Sequence, residues 1–205
     1  MSDWILTLLF CALAYLFGST PTGYLIVKAK KGIDIRKVGS GATGGTNVAR
    51  VLGKKWGYLV GILDGLKAFL PVFLAKKILP QGTYYHWELV FVALMPVVGH
   101  IWSIFLNFKA GKGVASTLGS LLALFGWKVL ALPFFIMLPL ILIFKISSIA
   151  SLTLALFLPP SLYFFSQGKQ EYLILGFLLL VIIFWSHREN IQRLIQGKEK
   201  RSGLV

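Results

Sequence analysis

Three stretches of this sequence gather the residue types that bind phosphate. The first is VGSGATGGTNVAR, Val38 to Arg50, in which Gly39, Gly41, Gly44 and Gly45 alternate with Ser40, Thr43, Thr46 and Asn47. Glycines let backbone N–H groups approach a ligand closely, and a concave array of such groups holds anionic oxygens. The second is FKAGKG, where Lys109 and Lys112 flank Gly111 and Gly113 opens a new apolar run. The third is HRENIQR, in which His187, Asn190 and Arg193 recur at helical spacing. A glycine-rich loop alone is weak evidence for a site and is as often a solvated connection. Three basic clusters of this kind suit a ligand carrying phosphate and hydroxyl groups. No GxxxxGK[ST] loop and no HExxH is present, and the three histidines are far apart, so no metal or other cofactor is expected.

The elements that must position these residues are apolar. Of 205 residues 57% are hydrophobic and 14% charged, with a mean hydropathy of +0.78. A soluble domain of this length could not cover so much apolar surface, and the runs have the length of membrane spans. The expected fold is therefore an all-α integral membrane protein, a single domain over residues 1–205. Its net charge of +14 falls at the ends of the apolar runs rather than on a soluble face, which argues against nucleic acid as a partner. Cys11 lies within an apolar run and reads as packing.

Spans are expected over about Trp4–Val27, Trp56–Ala75 and Glu88–Leu106. The 31 residues from Val114 to Phe144 would make a helix of about 46 Å against a hydrocarbon core of about 30 Å, so they divide into two shorter spans near Gly126–Lys128. Further spans follow over Ile149–Phe165 and Tyr172–Trp185. Seven transmembrane helices result, with the N-terminus outside, the C-terminus cytoplasmic, and all three polar clusters on the cytoplasmic side. Sixteen of the 21 Lys and Arg residues then lie inside: eight between Lys28 and Lys55, two at Lys109 and Lys112, Lys145, and five after His187. GSTPTG, Gly18 to Gly23, should interrupt the first helix. Asp64 and Lys67 share a helical face, as a self-contained pair or as support beneath the glycine loop. His100 either faces the same cavity or makes a packing hydrogen bond, and His86 reads as interfacial.

With these residues in hand the sequence resembles the bacterial membrane family of acyl-phosphate:glycerol-3-phosphate acyltransferases (PlsY). The resemblance rests on GSGATGGTNVAR at Gly39–Arg50, GHIWSIFLNFKAGKGVAS at Gly99–Ser116 and HRENIQRLIQGKE at His187–Glu199, and spans nearly the whole chain. Ala42 stands where the family has asparagine, Gly45 where it has alanine, and Ala110 where it has glycine. The resemblance implies transfer of a fatty acyl group from acyl phosphate to the 1-hydroxyl of glycerol 3-phosphate, giving lysophosphatidic acid and phosphate. It implies a cradle of Ser40, Thr43, Gly44, Gly45, Thr46 and Asn47 for acyl phosphate. Lys109, Arg50, Ser148, His187 and Asn190 would hold glycerol 3-phosphate, with Lys112 near the entrance. Either His187 or a substrate phosphate oxygen would take the proton. Membrane lipids are the remaining partners, and a monomer suffices. A transporter for a small phosphorylated anion shares the basic cavity, but the polar groups concentrate at the cytoplasmic ends and no internal repeat is clear; a scaffold for anionic lipid explains the charge but leaves the glycines beside Thr46, Asn47 and Lys112 without a purpose.

Overall fold

The computed structural model describes residues 3–204. Every regular element among them is helical: α1 Asp3–Ser19, α2 Thr22–Lys31, α3 Gly45–Leu52, α4 Lys54–Ile78, α5 Tyr85–Ile101, α6 Val114–Phe125, α7 Leu138–Phe144, α8 Ser147–Phe165, α9 Gln170–Ser186 and α10 Arg188–Ile195. Four stretches are long and apolar enough to cross a bilayer: Trp4–Lys31, Lys54–Ile78, Tyr85–Leu106 and Ser147–Phe165. Two more are bent pairs, Val114–Val129 with Pro133–Phe144 at 90° and Gln170–Ser186 with Arg188–Ile195 at 61°. The fold is thus an all-α, multi-pass membrane protein with four to six long apolar helices.

Pro21 and Pro133 explain two of the breaks. Pro21 lacks an N–H and caps α2, so α1 ends at Ser19 rather than running through. After α6, Gly126 adopts φ 71°, a 3₁₀ stretch follows over Gly126–Leu130, and Pro133 opens a π-helical turn over Pro133–Met137 that leads into α7. The expected division near Gly126–Lys128 coincides with this break.

In lipid there is little hydrophobic drive to bring helices together, so small residues that admit close backbone approach decide which helices pack. That is how this core is built. A Cβ at Gly18 would overlap the Pro96 carbonyl, and one at Gly99 the Tyr15 carbonyl, so α1 and α5 touch backbone to backbone. Gly119 sits in the same way on the Gly65 carbonyl, joining α6 to α4, and Gly176 sits on Pro159, joining α9 to α8. Tyr15 Oη also donates to the Trp102 carbonyl at 2.8 Å, and Ser103 Oγ to that of Ser19 at 2.5 Å.

Aromatic contacts collect at one end of the bundle. Trp4 meets Tyr84 at 5.7 Å between ring centroids, and Phe125 meets both Phe165 and Tyr172 at 6.2 and 5.1 Å. His86 Nδ1 lies 3.1 Å from Tyr172 Oη there, in keeping with an interfacial role, and Lys76 Nζ donates to the Leu124 carbonyl at 2.5 Å. At the opposite end lie the glycine loop, the loop before α6, the start of α8 and the end of α9.

The glycine contacts give a direct test. Gly119→Val forces a branched side chain against the Gly65 backbone and should cost about 1–3 kcal/mol, the range for overpacking a close interface. Gly82→Ala, with open space around it, should change stability by less than about 0.5 kcal/mol. Thermal unfolding midpoints in detergent report both.

Candidate active site

A cavity of about 520 Å³ opens where the polar loops converge. Its polar walls include Ser40, Gly44, Gly45, Thr46, Asn47, Arg50, Lys112, Ser148, His187 and Asn190, contributed by four separate regions of sequence. Beyond them the lining turns apolar, with Ile62 of α4, Leu118 of α6 and Met137, Leu138 and Ile141 from the segment ending in α7. One chamber therefore offers anion-binding groups at one side and hydrocarbon at the other.

Asn47 builds the glycine loop from within. Its Oδ1 accepts from the Ser40 N–H at 2.9 Å, while Nδ2 donates to the carbonyls of Val38 at 3.0 Å and Ala42 at 2.9 Å. Gly39 is at φ 62° and Gly41 at φ 74°, and a Cβ at Gly39 would strike the Asn47 amide. Asn47, expected in the anion cradle, lines the cavity, and its amide also binds the loop's own backbone and holds the loop's shape. Thr43 is buried rather than lining the cavity, and its N–H donates to the Ala110 carbonyl at 3.3 Å, tying the first loop to the second. Gly44 caps α3, and Gly45 lets α3 sit directly on the Gly57 carbonyl of α4. Ala42 and Ala110, the two other departures from the family pattern, both contribute a main-chain carbonyl here.

The two lysines of the second cluster part company. Asn107 and Phe108 have φ of 52° and 59°, and the chain folds back so that the N–H of Phe108 reaches the Ser103 carbonyl at 2.8 Å. This leaves Lys109 exposed at the outside of the turn, away from the cavity. Lys109, expected to hold glycerol 3-phosphate, is thus not among the residues that line the cavity. Ala110 and Gly111 then pair with the carbonyls of Ile101 and His100, and Lys112 enters the cavity. Its ammonium donates to Asn190 Oδ1. Burial holds the Lys112 ammonium down to about 8, with the nearby Arg193 and Arg50 adding to the effect against the pull of Glu199.

Glu199 organises the third cluster. Its carboxylate accepts from Asn190 Nδ2 at 2.6 Å, Ser148 Oγ at 3.1 Å and Arg193 Nε at 2.8 Å. Burial alone would raise its pKa, but these three donors outweigh burial and hold it below the usual carboxylate range. Sequence reasoning gave Glu199 no role; the available signal was an acid at the end of the third block, among bases. His187 is buried, with Nδ1 2.8 Å from the Ile183 carbonyl. A carbonyl can only accept, so Nδ1 carries the proton and Nε2 is the free acceptor of the neutral ring. Burial, then the charge of Lys112, pushes the imidazolium down to about 4.

The segment after α10 closes over this end. Arg50 donates to the Arg201 carbonyl at 2.8 Å, Ser147 Oγ to Ser202 Oγ at 2.7 Å, and Tyr58 Oη to the Leu204 carbonyl at 3.0 Å. Ser147, beside the expected Ser148, joins the cavity wall together with Glu199 and Leu204, to which the sequence assigned no role. Among the described residues no group of His, Cys, Asp and Glu is arranged to hold a metal ion.

A family model described as Glycerol-3-phosphate acyltransferase matches residues 8–197. The chain belongs to this acyltransferase family. A glycerol-3-phosphate acyltransferase of Prochlorococcus marinus (strain NATL1A) is 42% identical over 201 residues, covering 97% of this chain and 99% of the relative. One of Lawsonia intracellularis is 38% identical over 198 residues, covering 96% of each. Two crystal structures of PlsY (YgiH), an integral membrane glycerol 3-phosphate acyltransferase, superpose closely. Its glycerol 3-phosphate form has a TM-score of 0.85 at 38% identity, over 95% of this chain and 94% of that one. Its lysophosphatidic acid form has a TM-score of 0.82 at 36% identity, over 97% and 96%.

The depressed ammonium of Lys112 sets a pH dependence for this acyltransferase. A protonated Lys112 attracts anions, so its contribution to anion affinity is expected to be full well below about 8 and to be lost as pH rises through that value. Inorganic phosphate is already a dianion there, so the decline belongs to the protein. Thermal protection by phosphate should weaken across this range, and Lys112→Arg should flatten the decline because a guanidinium keeps its charge.

Proposed function

We propose that this acyltransferase moves a fatty acyl group from acyl phosphate to the 1-hydroxyl of glycerol 3-phosphate, releasing lysophosphatidic acid and inorganic phosphate for phospholipid synthesis. The observation carrying this reading is the two-natured cavity, in which an anion cradle made by Ser40, Gly44, Gly45 and Thr46 continues into apolar walls. A fatty acyl phosphate has the same division. The N-terminus of α3 adds partial positive charge and unpaired N–H groups at Gly45 and Thr46. Lys112, rather than Lys109, is the charge clamp, and Arg50, Ser148 and Asn190 complete the acceptor site.

The mixed anhydride already carries an activated carbonyl and a good leaving group, so the site's tasks are alignment and stabilisation of oxyanion charge. Attack by the acceptor hydroxyl forms the new ester C–O bond, the acyl C–O bond to phosphate breaks, and phosphate leaves with the electron pair. His187 Nε2 is placed to accept a hydrogen bond from that hydroxyl and orient it. With its imidazolium held down to about 4, His187 is a weak base near neutral pH, and a substrate phosphate oxygen is the better proton acceptor.

We also infer one domain, active as a monomer among membrane lipids, with seven crossings, the N-terminus outside and the site facing the cytoplasm of a bacterial inner membrane. Convergence of the glycine loop, Lys112, Ser147 and His187 on one cavity supports this, because a chain leaving at Val114 must return by Ser147. The charge distribution supports the side.

Two measurements test these readings. Purified protein in detergent should form lysophosphatidic acid from acyl phosphate and glycerol 3-phosphate, whereas a transporter would need a sealed compartment. Lys112→Ala should lower kcat/KM by ~10²-fold or more, corresponding to the ~3 kcal/mol scale of a lost charged contact. Lys109→Ala should stay within about threefold, far below that effect. For topology, in a Cys11→Ala background, cysteines at Gly32 and Gly197 should react with an impermeant reagent only once the cytoplasm is opened, and one at Gly82 from outside. Opposite labelling of Gly32 and Gly197 would rule out the odd number of crossings.

A further inference from the structure

A charged cluster lies within the membrane-spanning helices, where Asp64 and His100 also line the cavity, and the acyl-transfer chemistry above assigns it no role. Asp64, 1% exposed in α4, accepts from Thr22 Oγ1 of α2 and lies 2.8 Å from Lys67 Nζ. His100 Nδ1 of α5 stands 3.6 Å from the same carboxylate, and Ser116 Oγ of α6 donates to the Asp64 carbonyl at 3.2 Å. Lys67 also donates to the Thr20 carbonyl at 2.7 Å, at the break between α1 and α2. Charges at this depth each cost several kcal/mol unless compensated, and they mark function more often than packing. Residues three apart on one helix could neutralise each other alone. This pair instead reaches the α1–α2 break, α2, α5 and α6.

Its neighbours are the supports of the two substrate loops. Thr22 precedes Gly23, on which the glycine loop rests so closely that a Cβ would overlap the Thr43 carbonyl. The ring of His100 lies directly beneath Gly111, where a Cβ would strike Nε2, and the next residue is Lys112. Between these supports the loops share one hydrogen bond, from the Thr43 N–H to the Ala110 carbonyl at 3.3 Å. Asp64 is the group that both supports face.

We propose that Asp64 is a positioning residue for acyl transfer: through Thr22 and Lys67 on one side and His100 on the other, it sets the glycine loop in register with the Lys112 loop. This inference rests on the transfer reaction proposed above. With each loop holding one substrate, the register fixes the distance from the acceptor hydroxyl to the acyl carbon. A slip of about 1 Å in such a distance can cost ~10²-fold while each substrate still binds its own loop.

The discriminating readout is the ratio of lysophosphatidic acid to free fatty acid formed from acyl phosphate at saturating glycerol 3-phosphate. Loss of folded enzyme lowers both products together, whereas loss of register favours water over the misplaced hydroxyl. The principal variant is Asp64→Asn with Lys67→Met, which avoids leaving an ammonium buried and unpaired. Thr22→Val removes the hydroxyl, and Thr22→Ser keeps it. The ratio should fall at least about tenfold in the double variant and clearly in Thr22→Val, and should hold in Thr22→Ser. A second readout is independent of turnover. Spin labels at Lys37 and Lys109, both exposed, in a Cys11→Ala background should show a shifted or broadened distance distribution in the double variant. An unchanged distribution, an unchanged product ratio, or loss of both products in folded protein would overturn the assignment. Absence of lysophosphatidic acid from the wild type would count instead against the transfer reaction, with the spin-label distances still judging the register.

Discussion

A cavity built to hold phosphates at a membrane must carry positive charge, and that charge must be held together when no ligand is present. The Glu199 carboxylate meets this requirement. It collects Ser148 from the start of α8 and Asn190 and Arg193 from α10, and through Asn190 it reaches the Lys112 ammonium. Removing a single partner from such a desolvated network costs more than the contact is worth, because the remaining charges are left without compensation. This one acid thereby ties α10 to the start of α8 and, through Asn190, to Lys112.

The remaining order is achieved with backbone. Asn47 spends its amide on loop carbonyls and on the Ser40 N–H, so the glycine loop keeps a fixed concave shape although its glycines would permit many. Helix pairs meet through Gly18, Gly99, Gly119 and Gly176, where main chains approach closely without interposed side chains. Rigidity in both places comes from small residues held against neighbouring backbone. A loop fixed in this way presents its backbone to the cavity with little need to reorganise.

Much of this was legible in the sequence because membranes impose simple rules. Apolar run length located the long apolar helices, four to six of them among the described residues, and Pro21 and Gly126 marked real interruptions. The three polar blocks were recognisable from residue type and spacing, and they meet in one cavity. What stayed hidden depends on backbone direction. Lys109 and Lys112 look equivalent along the chain, yet the positive φ values of Asn107 and Phe108 send one outward and the other inward. Asn47 has the composition of a ligand contact, and only its distances show that it serves the loop. Glu199 reads as one acid in a basic tail until the bend after α9 returns it beneath Ser148.

The cavity draws together residues as far apart in sequence as Ser40 and Glu199. During synthesis, helices enter the bilayer in order, so the glycine loop exists long before the acid that organises Lys112 and Asn190 has left the ribosome. A nascent chain bearing only the earlier helices holds the glycine loop but not Ser148, His187, Asn190 and Glu199 of the same cavity. The full set of residues that line the cavity therefore exists only once the segment containing Glu199 and Leu204 has emerged, so its walls close last at the end of the chain.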